Sequence, residues 1–587
     1  MFVLRSTLPG GMLVGAALVS LALVASAPAS SSQSPASRPF LTEAREHVFE
    51  RPAGALAQTR WSASGPARRA LRIAATHRGE DYVRSAHAVG GEAVDATLAA
   101  AWHAKGFTGK GVKVAIIDGG FAGLAQRQAD GDLPANVVTQ DLCDGGLTSA
   151  EDHGTAVAEI VHEMAPEAQL YLVCIADETD FEAAVRYAKS QGVHVINHSA
   201  GWEGPFRNDG NDRFSQIVSG ARAAGILWVN SAGNEGENHW SGTYNPTGHA
   251  HMWNPNGDVG NSFIWPDGAE ICGILKWDEW PAGVSDFDLG LFLSGANVLL
   301  ASSEEEQGEG GGEPPFEGLC VEQSSGHDLT VFWAIRGYSV RSNPRIDFVS
   351  WSPPLEYFVA AGSIAAPATS PSALAVGALC WQSRALEPYS SQGPTIDGRT
   401  KPDLVGHDSV SSATYGSFAG CPSGFAGTSA SSPEVAGAAA LVKQAFPTLG
   451  PDGIRDYLAR SARDLGTPGP DSTYGAGELQ LPKPPDVAAP SAKALASTGR
   501  RGATVKLLAS VSDDSGEASL SLVVKRGSAT IATIRRGFVP AVGQKTVATP
   551  WAVPAKAPDG AYRHCVRATD RAGNTSALSC AQLVLRS

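Results

Sequence analysis

Basic residues are in the minority: 45 lysines and arginines stand against 59 acidic residues in a chain of 587, a formal net charge of −14. That balance excludes the basic footprint of a nucleic-acid binder, so no nucleic-acid partner is expected. Long apolar runs are missing too. The run at residues 12–24 falls short of the ~20 residues a membrane-spanning helix needs, and no second one follows, so no transmembrane segment is expected. Arg5 before that run, and small residues after it with Ala27-Pro28-Ala29 as a cleavage site, read instead as a secretory signal peptide over 1–29. They imply a secreted, extracellular location. No cysteine precedes Cys143, which excludes lipid attachment at a cleaved N-terminal cysteine. No Cys-x-x-Cys pair occurs, which argues against a zinc ribbon. His162-Glu163 lacks a second histidine at zinc-protease spacing. No metal ligand set and no cofactor are assigned. At Asn208-Asp209-Gly210-Asn211-Asp212 a structural calcium competes with the simpler reading of a capped turn before a helix. Nothing fixes an oligomeric state.

The chain does hold apolar material for real cores, 43% of its residues, and a length of two or three domains. Residues 30–90, rich in Ala, Ser, Pro and Arg, form a pro-segment or a linker. From 91 to 105 the pattern is helical. After the turn Gly109-Lys110-Gly111 comes Val112-Lys113-Val114-Ala115-Ile116-Ile117-Asp118, a buried strand ending in a carboxylate. Strands at 136–142, 169–175, 193–197 and 226–230 alternate with helices at 153–163, 181–190 and 212–224. Near-continuous apolar strands in such alternation imply an α/β fold, a doubly wound, mostly parallel sheet covered on both faces. Its sites are expected at the carboxyl ends of strands. From about 240 to 355, tryptophans, glycines and alternating runs such as Leu329-Thr330-Val331-Phe332-Trp333 indicate an inserted β-rich subdomain. The α/β pattern resumes at 373–378 and continues to 481, with helices after Ser429 and at 453–461. Residues 482–490 are a stiff Pro-rich linker, and alternation through 491–587 reads as a β-sandwich.

The eight cysteines are Cys143, Cys174, Cys272, Cys320, Cys380, Cys421, Cys565 and Cys580. An even number in an exported chain suggests disulfides, and neighbour-to-neighbour pairing fits the domain plan. Cys143 and Cys174 each end a predicted strand, with one helix between. Parallel neighbours lie about 4.8 Å apart, within the about 4.4–6.8 Å Cα separation of a disulfide. A Cys143–Cys174 bridge is therefore expected.

Four stretches carry chemistry. Gly427-Thr428-Ser429-Ala430-Ser431-Ser432-Pro433 reads as a tight turn feeding a helix. It puts Ser429 at the helix start, where free N–H groups and the positive dipole end point outward. Pro433 is read as an early helical residue that need not donate its N–H. Ile116-Ile117-Asp118-Gly119-Gly120 places an acid at a strand end. Asp152-His153-Gly154-Thr155-Ala156-Val157-Ala158 places a histidine at a helix start. Asn230-Ser231-Ala232-Gly233-Asn234 follows a strand with an amide. Alone, each has a bland reading: an N-cap, a turn former, a polar helix end, a loop. Together they supply an acid, a base, a nucleophile and an amide donor.

In the order Asp, His, Asn, Ser, these stretches resemble the subtilisin-like serine protease family. Asn197-His198-Ser199-Ala200-Gly201 is similar to that family's substrate-binding strand. Tyr389-Ser390-Ser391-Gln392-Gly393-Pro394 and Lys401-Pro402-Asp403-Leu404 are similar to its segment before the serine. The resemblance spans roughly 109–477. It implies a subtilisin-like catalytic domain over 91–481 and serine endopeptidase activity on a protein or peptide substrate through an acyl-enzyme. Ser429 would be the nucleophile, His153 the base and Asp118 its orienting carboxylate, with the Asn234 side chain and the Ser429 N–H as oxyanion hole. Ser199, Ala200, Gly201 and Ser231, Ala232, Gly233 would wall the primary pocket and favour uncharged side chains. The chain departs from the family at Ala430 and Ser431 (commonly Met-Ala), Gly119 (Ser or Thr), Ala156 (His) and Glu159 (Gly). The first departure resembles sedolisins, but His153 and Asn234 are kept. Ala568-Thr569-Asp570-Arg571-Ala572-Gly573-Asn574 resembles the closing hairpin of bacterial immunoglobulin-like modules. A rival reading is a catalytically silent peptidase scaffold acting as an extracellular binding or adhesion protein. The insertion and sandwich favour a binding role; the complete set of four groups favours catalysis. His198 is expected to be a satisfied interior histidine, and Asn574-Thr575-Ser576 a hairpin turn.

Overall fold

The computed structural model describes residues 91–586 apart from 144, 149–150, 309–311 and 559, together with the short strands Phe2–Arg5, Trp61–Ser62 and Ala70–Arg72. The apolar run at 12–24, the cleavage site at 27–29 and nearly all of the 30–90 segment lie outside the described residues. The chain divides into two units between Lys483 and Pro484.

The first unit is built on seven strands: β1 (Lys113–Asp118), β2 (Val138–Asp141), β3 (Gln169–Cys174), β4 (Val195–His198), β5 (Leu227–Ser231), β6 (Ala373–Cys380) and β7 (Leu404–Asp408). Their order is β7-β6-β5-β4-β1-β3-β2, and every neighbouring pair is parallel. Alternate residues of a strand face opposite sides, so a strand covered on both faces must be apolar throughout. In β1, Val114 and Ile116 enter one core while Ala115 and Ile117 enter the other. Helices α1 (His153–Met164), α4 (Thr428–Ala445) and α5 (Pro451–Ser461) pack on the first face; α2 (Glu178–Ser190) and α3 (Arg213–Ala223) pack on the second. The chain runs outward from β1 to β2, returns to β3, then crosses to β4 on the other side. The winding reverses at β1, and crevices for ligands form at the carboxyl ends of strands where this happens.

Several local differences from the sequence reading have physical causes. The helix predicted through 105 is two short ones, Glu92–Ala96 and Ala99–His103. Thr97 turns its hydroxyl back to the Ala93 carbonyl (2.7 Å), and Leu98 takes a left-handed φ of 66°. Helix α2 begins at Glu178 because the Asp177 carboxylate caps the N–H groups of Thr179 and Asp180. Pro433 is not in the first turn, since the helix starts at Thr428. The bond it withholds is the one to the Ser429 carbonyl four residues back. That carbonyl instead accepts the Ser199 hydroxyl at 3.0 Å.

Between β5 and β6 the insertion forms two antiparallel sheets. One contains His239–Thr243, Glu270–Trp277, Phe316–Gln323 and Arg345–Trp351; the other contains Asn261–Trp265, Asp286–Leu293, Val298–Ser303 and Leu329–Ser339. Trp253, Trp265, Trp277 and Trp333 fill the core between them. The second unit is also two sheets around one core, which holds Leu507, Leu522, Trp551 and Val566.

The cysteines pair in sequence order: Cys143–Cys174, Cys272–Cys320, Cys380–Cys421 and Cys565–Cys580. The expected Cys143–Cys174 bridge has a Cα separation of 5.5 Å, because β2 and β3 are parallel neighbours and Asp141 lies opposite Cys174. Both sulfurs lie against the Gly119 carbonyl, at 3.6 and 3.5 Å, directly after Asp118. Replacing both cysteines by serine is expected to lower stability by about 2–4 kcal/mol. Denaturant midpoints of oxidised wild type and variant check this, and equal midpoints would show that the clip contributes nothing.

Candidate active site

Asp118 is the last residue of β1 and fully buried. His153 is the first residue of α1, and its Nδ1 lies 3.0 Å from both Asp118 oxygens. The helix can approach this closely because its second residue is glycine. A Cβ on Gly154 would lie 2.5 Å from the Gly120 carbonyl and 2.9 Å from the Asp118 Cβ. Asp118 Oδ1 also accepts the Gly119 N–H at 2.8 Å, so one carboxylate oxygen is fixed as an acceptor. Burial pushes the His153 imidazole below its ordinary value, against the opposing pull of Asp118. The ring is therefore neutral around pH 7 and able to take a proton.

Ser429 is the second residue of α4 and almost wholly buried. Its Oγ donates to the Ser199 carbonyl at 3.1 Å. Phe425, four residues earlier, stands edge-on to the His153 ring at 5.6 Å, which ties the serine turn to the histidine. Its place in the first turn leaves the Ser429 N–H without an intrahelical acceptor.

Asn234 lies three residues beyond β5. Its Oδ1 accepts both the Thr428 N–H (2.9 Å) and the Thr428 hydroxyl (2.8 Å), and Thr428 Oγ1 in turn accepts the Gly233 N–H (3.2 Å). The amide is thereby oriented, and its buried Nδ2 has no hydrogen-bond partner. Gly427 has φ 111°, a left-handed value that favours glycine. A Cβ there would sit 3.0 Å from Asn234 Nδ2 and 3.6 Å from the Ser429 nitrogen. Glycine thus keeps a small space between two N–H donors clear.

The predicted pocket walls adjoin one another. Asn230 Nδ2 donates to the Ala200 carbonyl at 3.0 Å. Ser231 closes β5, Ala232 donates to Val376 O and accepts from Ala365 N, and Gly201 lies in the strand Ala200–Glu203. The Ser199 hydroxyl faces the Ser429 carbonyl rather than open space. A Cβ on Gly233 would lie 2.2 Å from Glu235 Oε2, so Glu235 borders this region. Burial pushes its carboxyl up to about 7.

Sequence reasoning missed the polar frame behind these groups. Asn197 Nδ2 donates to Ser199 Oγ (3.0 Å) and its Oδ1 accepts Ser432 Oγ (2.7 Å), which joins β4 to α4. Asn197 sits at a strand's carboxyl end, as Asp118 does, and that position was the available signal. Asp408 was also missed; it accepts the Gly427 N–H at 2.7 Å. His198 is satisfied as expected: Nδ1 lies 2.8 Å from Ile117 O, Nε2 accepts Trp202 Nε1 at 3.2 Å, and burial lowers it to about 4. Asp212 caps α3 through the Ser215 N–H (2.8 Å), and Asp209 accepts the Asn211 N–H. Among the described residues, two groupings of candidate metal ligands contain disulfide cysteines. A third, Asp486, Asp513 and Asp514, lies in the second unit.

The model of the subtilase family matches residues 109–255 and 357–477. The gap between the two segments coincides with most of the β-rich insertion. Subtilisin Savinase of Lederbergia lenta is 30% identical over 156 residues, which cover 24% of this chain and 53% of that protein. Subtilisin amylosacchariticus of Bacillus subtilis subsp. amylosacchariticus is 32% identical over 164 residues, 25% of this chain and 40% of that protein. The chain thus spans about half the length, or less, of these curated relatives. Among solved structures, the Clostridium perfringens CspB protease overlays with a TM-score of 0.46 at 16% identity, covering 66% of this chain and 97% of that one. The matched segments hold Asp118, His153, Asn234 and Ser429, and by the match of the family model the chain belongs to the subtilase family.

Proposed function

We propose that this chain is a secreted serine endopeptidase that cleaves peptide bonds through an acyl-enzyme. Ser429 Oγ attacks the scissile carbonyl, and neutral His153 takes its proton and then delivers it to the leaving amine. Asp118 holds the imidazole with Nδ1 protonated and stabilises the cation that forms. Asn234 Nδ2 and the Ser429 N–H receive the developing oxyanion. The chemistry uses side chains and backbone alone and needs no cofactor. The four disulfides suit an oxidising, extracellular setting. We read the second unit as immunoglobulin-like.

One observation carries this reading over a silent scaffold. Asn234 Oδ1 is committed twice to Thr428 while its buried Nδ2 has no partner. An unpaired buried donor costs about 1–3 kcal/mol, and a scaffold without chemistry has no use for it. A fluorophosphonate probe on the purified chain tests the reading. Labelling at Ser429, identified by peptide mapping, is expected; an unlabelled, folded protein favours the binding-scaffold alternative. Asn234→Ala is expected to lower kcat about 10²–10³-fold with KM nearly unchanged. A loss confined to KM would remove Asn234 from the oxyanion hole.

A further inference from the structure

β7 ends in two buried ionisable residues, His407 and Asp408, and both grip the segment that carries Ser429. Asp408 Oδ1 accepts the Gly427 N–H at 2.7 Å, and its Oδ2 is hydrogen-bonded by the Tyr389 hydroxyl. Gly427 is the residue whose Cα faces the space between the two oxyanion donors. Asp408 therefore sets the peptide plane just ahead of the nucleophile. His407 holds the same segment further along. Its backbone N–H donates to Glu434 Oε2 (2.7 Å), its Nδ1 lies 2.9 Å from Glu434 Oε1, and its carbonyl accepts the Ser431 hydroxyl (3.0 Å). Its Nε2 lies 3.0 Å from Glu478 Oε1. Glu478 is held in turn by Arg463 at 2.8 Å and Arg384 at 3.3 Å. His407, Glu434 and Glu478 are all fully buried.

This much buried charge is costly to assemble, and a hydrophobic packing would serve stability as well. What a doubly bonded imidazolium adds is a fixed direction. It ties α4 to β7 at the turn where Pro433 has removed the helix's own bond to the Ser429 carbonyl. We propose that His407 and Asp408 are positioning residues that hold the Ser429 turn and helix from behind, so that loss of either grip slows acylation without weakening substrate binding; this rests on the reading of Ser429 as the nucleophile.

The charges facing these groups set the pH behaviour. Burial pushes the His407 imidazole down, but Glu434 and Glu478 outweigh it and hold it at about 9. The grip is thus complete at neutral pH and is weakened as pH rises through that value, because a neutral imidazole keeps only one of its two N–H donors to Glu434 and Glu478 while the backbone bonds to Glu434 and Ser431 remain. Burial, joined by the nearby Glu387 charge, raises Asp408 to about 8 against the opposing hydrogen bond from Tyr389. Its Oδ1 accepts the Gly427 N–H in either protonation state, so its titration does not release the turn.

The test uses the full oxidised chain, a small peptide substrate and the fluorophosphonate probe. Asp408→Ala is expected to lower kcat by about 10²-fold, the scale of an ångström's misplacement, with KM within about twofold. Asp408→Asn keeps an acceptor for Gly427 and is expected to recover most of that loss. In wild type the labelling rate should fall as pH rises through about 9 while circular dichroism stays constant. Glu434→Gln removes the charge that supports the imidazolium, so this alkaline limb should move to lower pH. An unchanged kcat in Asp408→Ala, or a limb that Glu434→Gln leaves in place, overturns the proposal while the function stands. If the variants do not fold, the wild-type profile decides alone, and a flat rate through pH 9 overturns it. A wild type that never labels overturns both readings.

Discussion

Ser429→Ala is expected to lower peptide hydrolysis by about 10⁶-fold, the scale measured when the nucleophile is removed from subtilisin, a member of the same family. The fold should survive. Ser429 Oγ makes one hydrogen bond, to the Ser199 carbonyl, and a single such bond contributes about 0.5–1.5 kcal/mol. The other link between these residues, from Ser199 Oγ to the Ser429 carbonyl, uses the backbone and is kept. Alanine is also a better helix former than serine at this position. The variant should therefore melt within a few degrees of wild type, lose probe labelling and retain only the residual catalysis of the oxyanion donors. Turnover near the wild-type level in a folded Ser429→Ala protein would mean that another group attacks the carbonyl.

The parallel sheet was legible because its strands are apolar on both faces, as the split of Val114, Ala115, Ile116 and Ile117 between two cores requires. The candidate site was legible because Asp118, His153, Asn234 and Ser429 sit in short motifs rich in glycine and small residues. Gly154 and Gly427 are kept small by contacts a Cβ would violate. β7 was not legible as a strand. Only Leu404 and Val405 are apolar, and its buried His407 and Asp408 read as polar loop residues until their partners are seen. Those partners, Glu434, Glu478 and Gly427, lie 19 to 71 positions away. The same limit hid Asn197, whose bond to Ser432 spans 235 positions. Periodicity reports which side chains are apolar and at what spacing; it carries no information on which distant polar atom satisfies a buried one. Pro433 failed differently. Its tolerance depended on what the Ser429 carbonyl bonds instead, and that acceptor's partner, Ser199, comes from another strand end.

The second large effect concerns the proton on His153. Asp118→Asn is expected to reduce kcat at neutral pH by about 10⁴-fold, although the side chain keeps its shape. The reason lies in which oxygen is already occupied. Asp118 Oδ1 accepts the Gly119 N–H at 2.8 Å, so an asparagine will keep its carbonyl oxygen there. Its NH₂ group then takes the place of Oδ2; both oxygens lie 3.0 Å from His153 Nδ1, but Oδ1 is already shared with the Gly119 N–H, so the NH₂ is the group free to meet that nitrogen. A donor facing Nδ1 turns that nitrogen into an acceptor and moves the ring proton to Nε2. An Nε2–H imidazole cannot accept the Ser429 proton, and raising the pH does not correct the tautomer. The charge change has a separate signature. Burial already lowers His153, and Asp118 is the largest opposing influence. Without the carboxylate the imidazolium is weaker, so the acid limb of kcat/KM should move to lower pH as the plateau falls. Steady-state profiles of wild type and Asp118→Asn between about pH 4 and 9, with the fold checked at each end, separate the two effects. A reduced plateau with an unmoved acid limb would place the Asp118 charge outside the influence of His153, and an unchanged plateau would remove Asp118 from the mechanism.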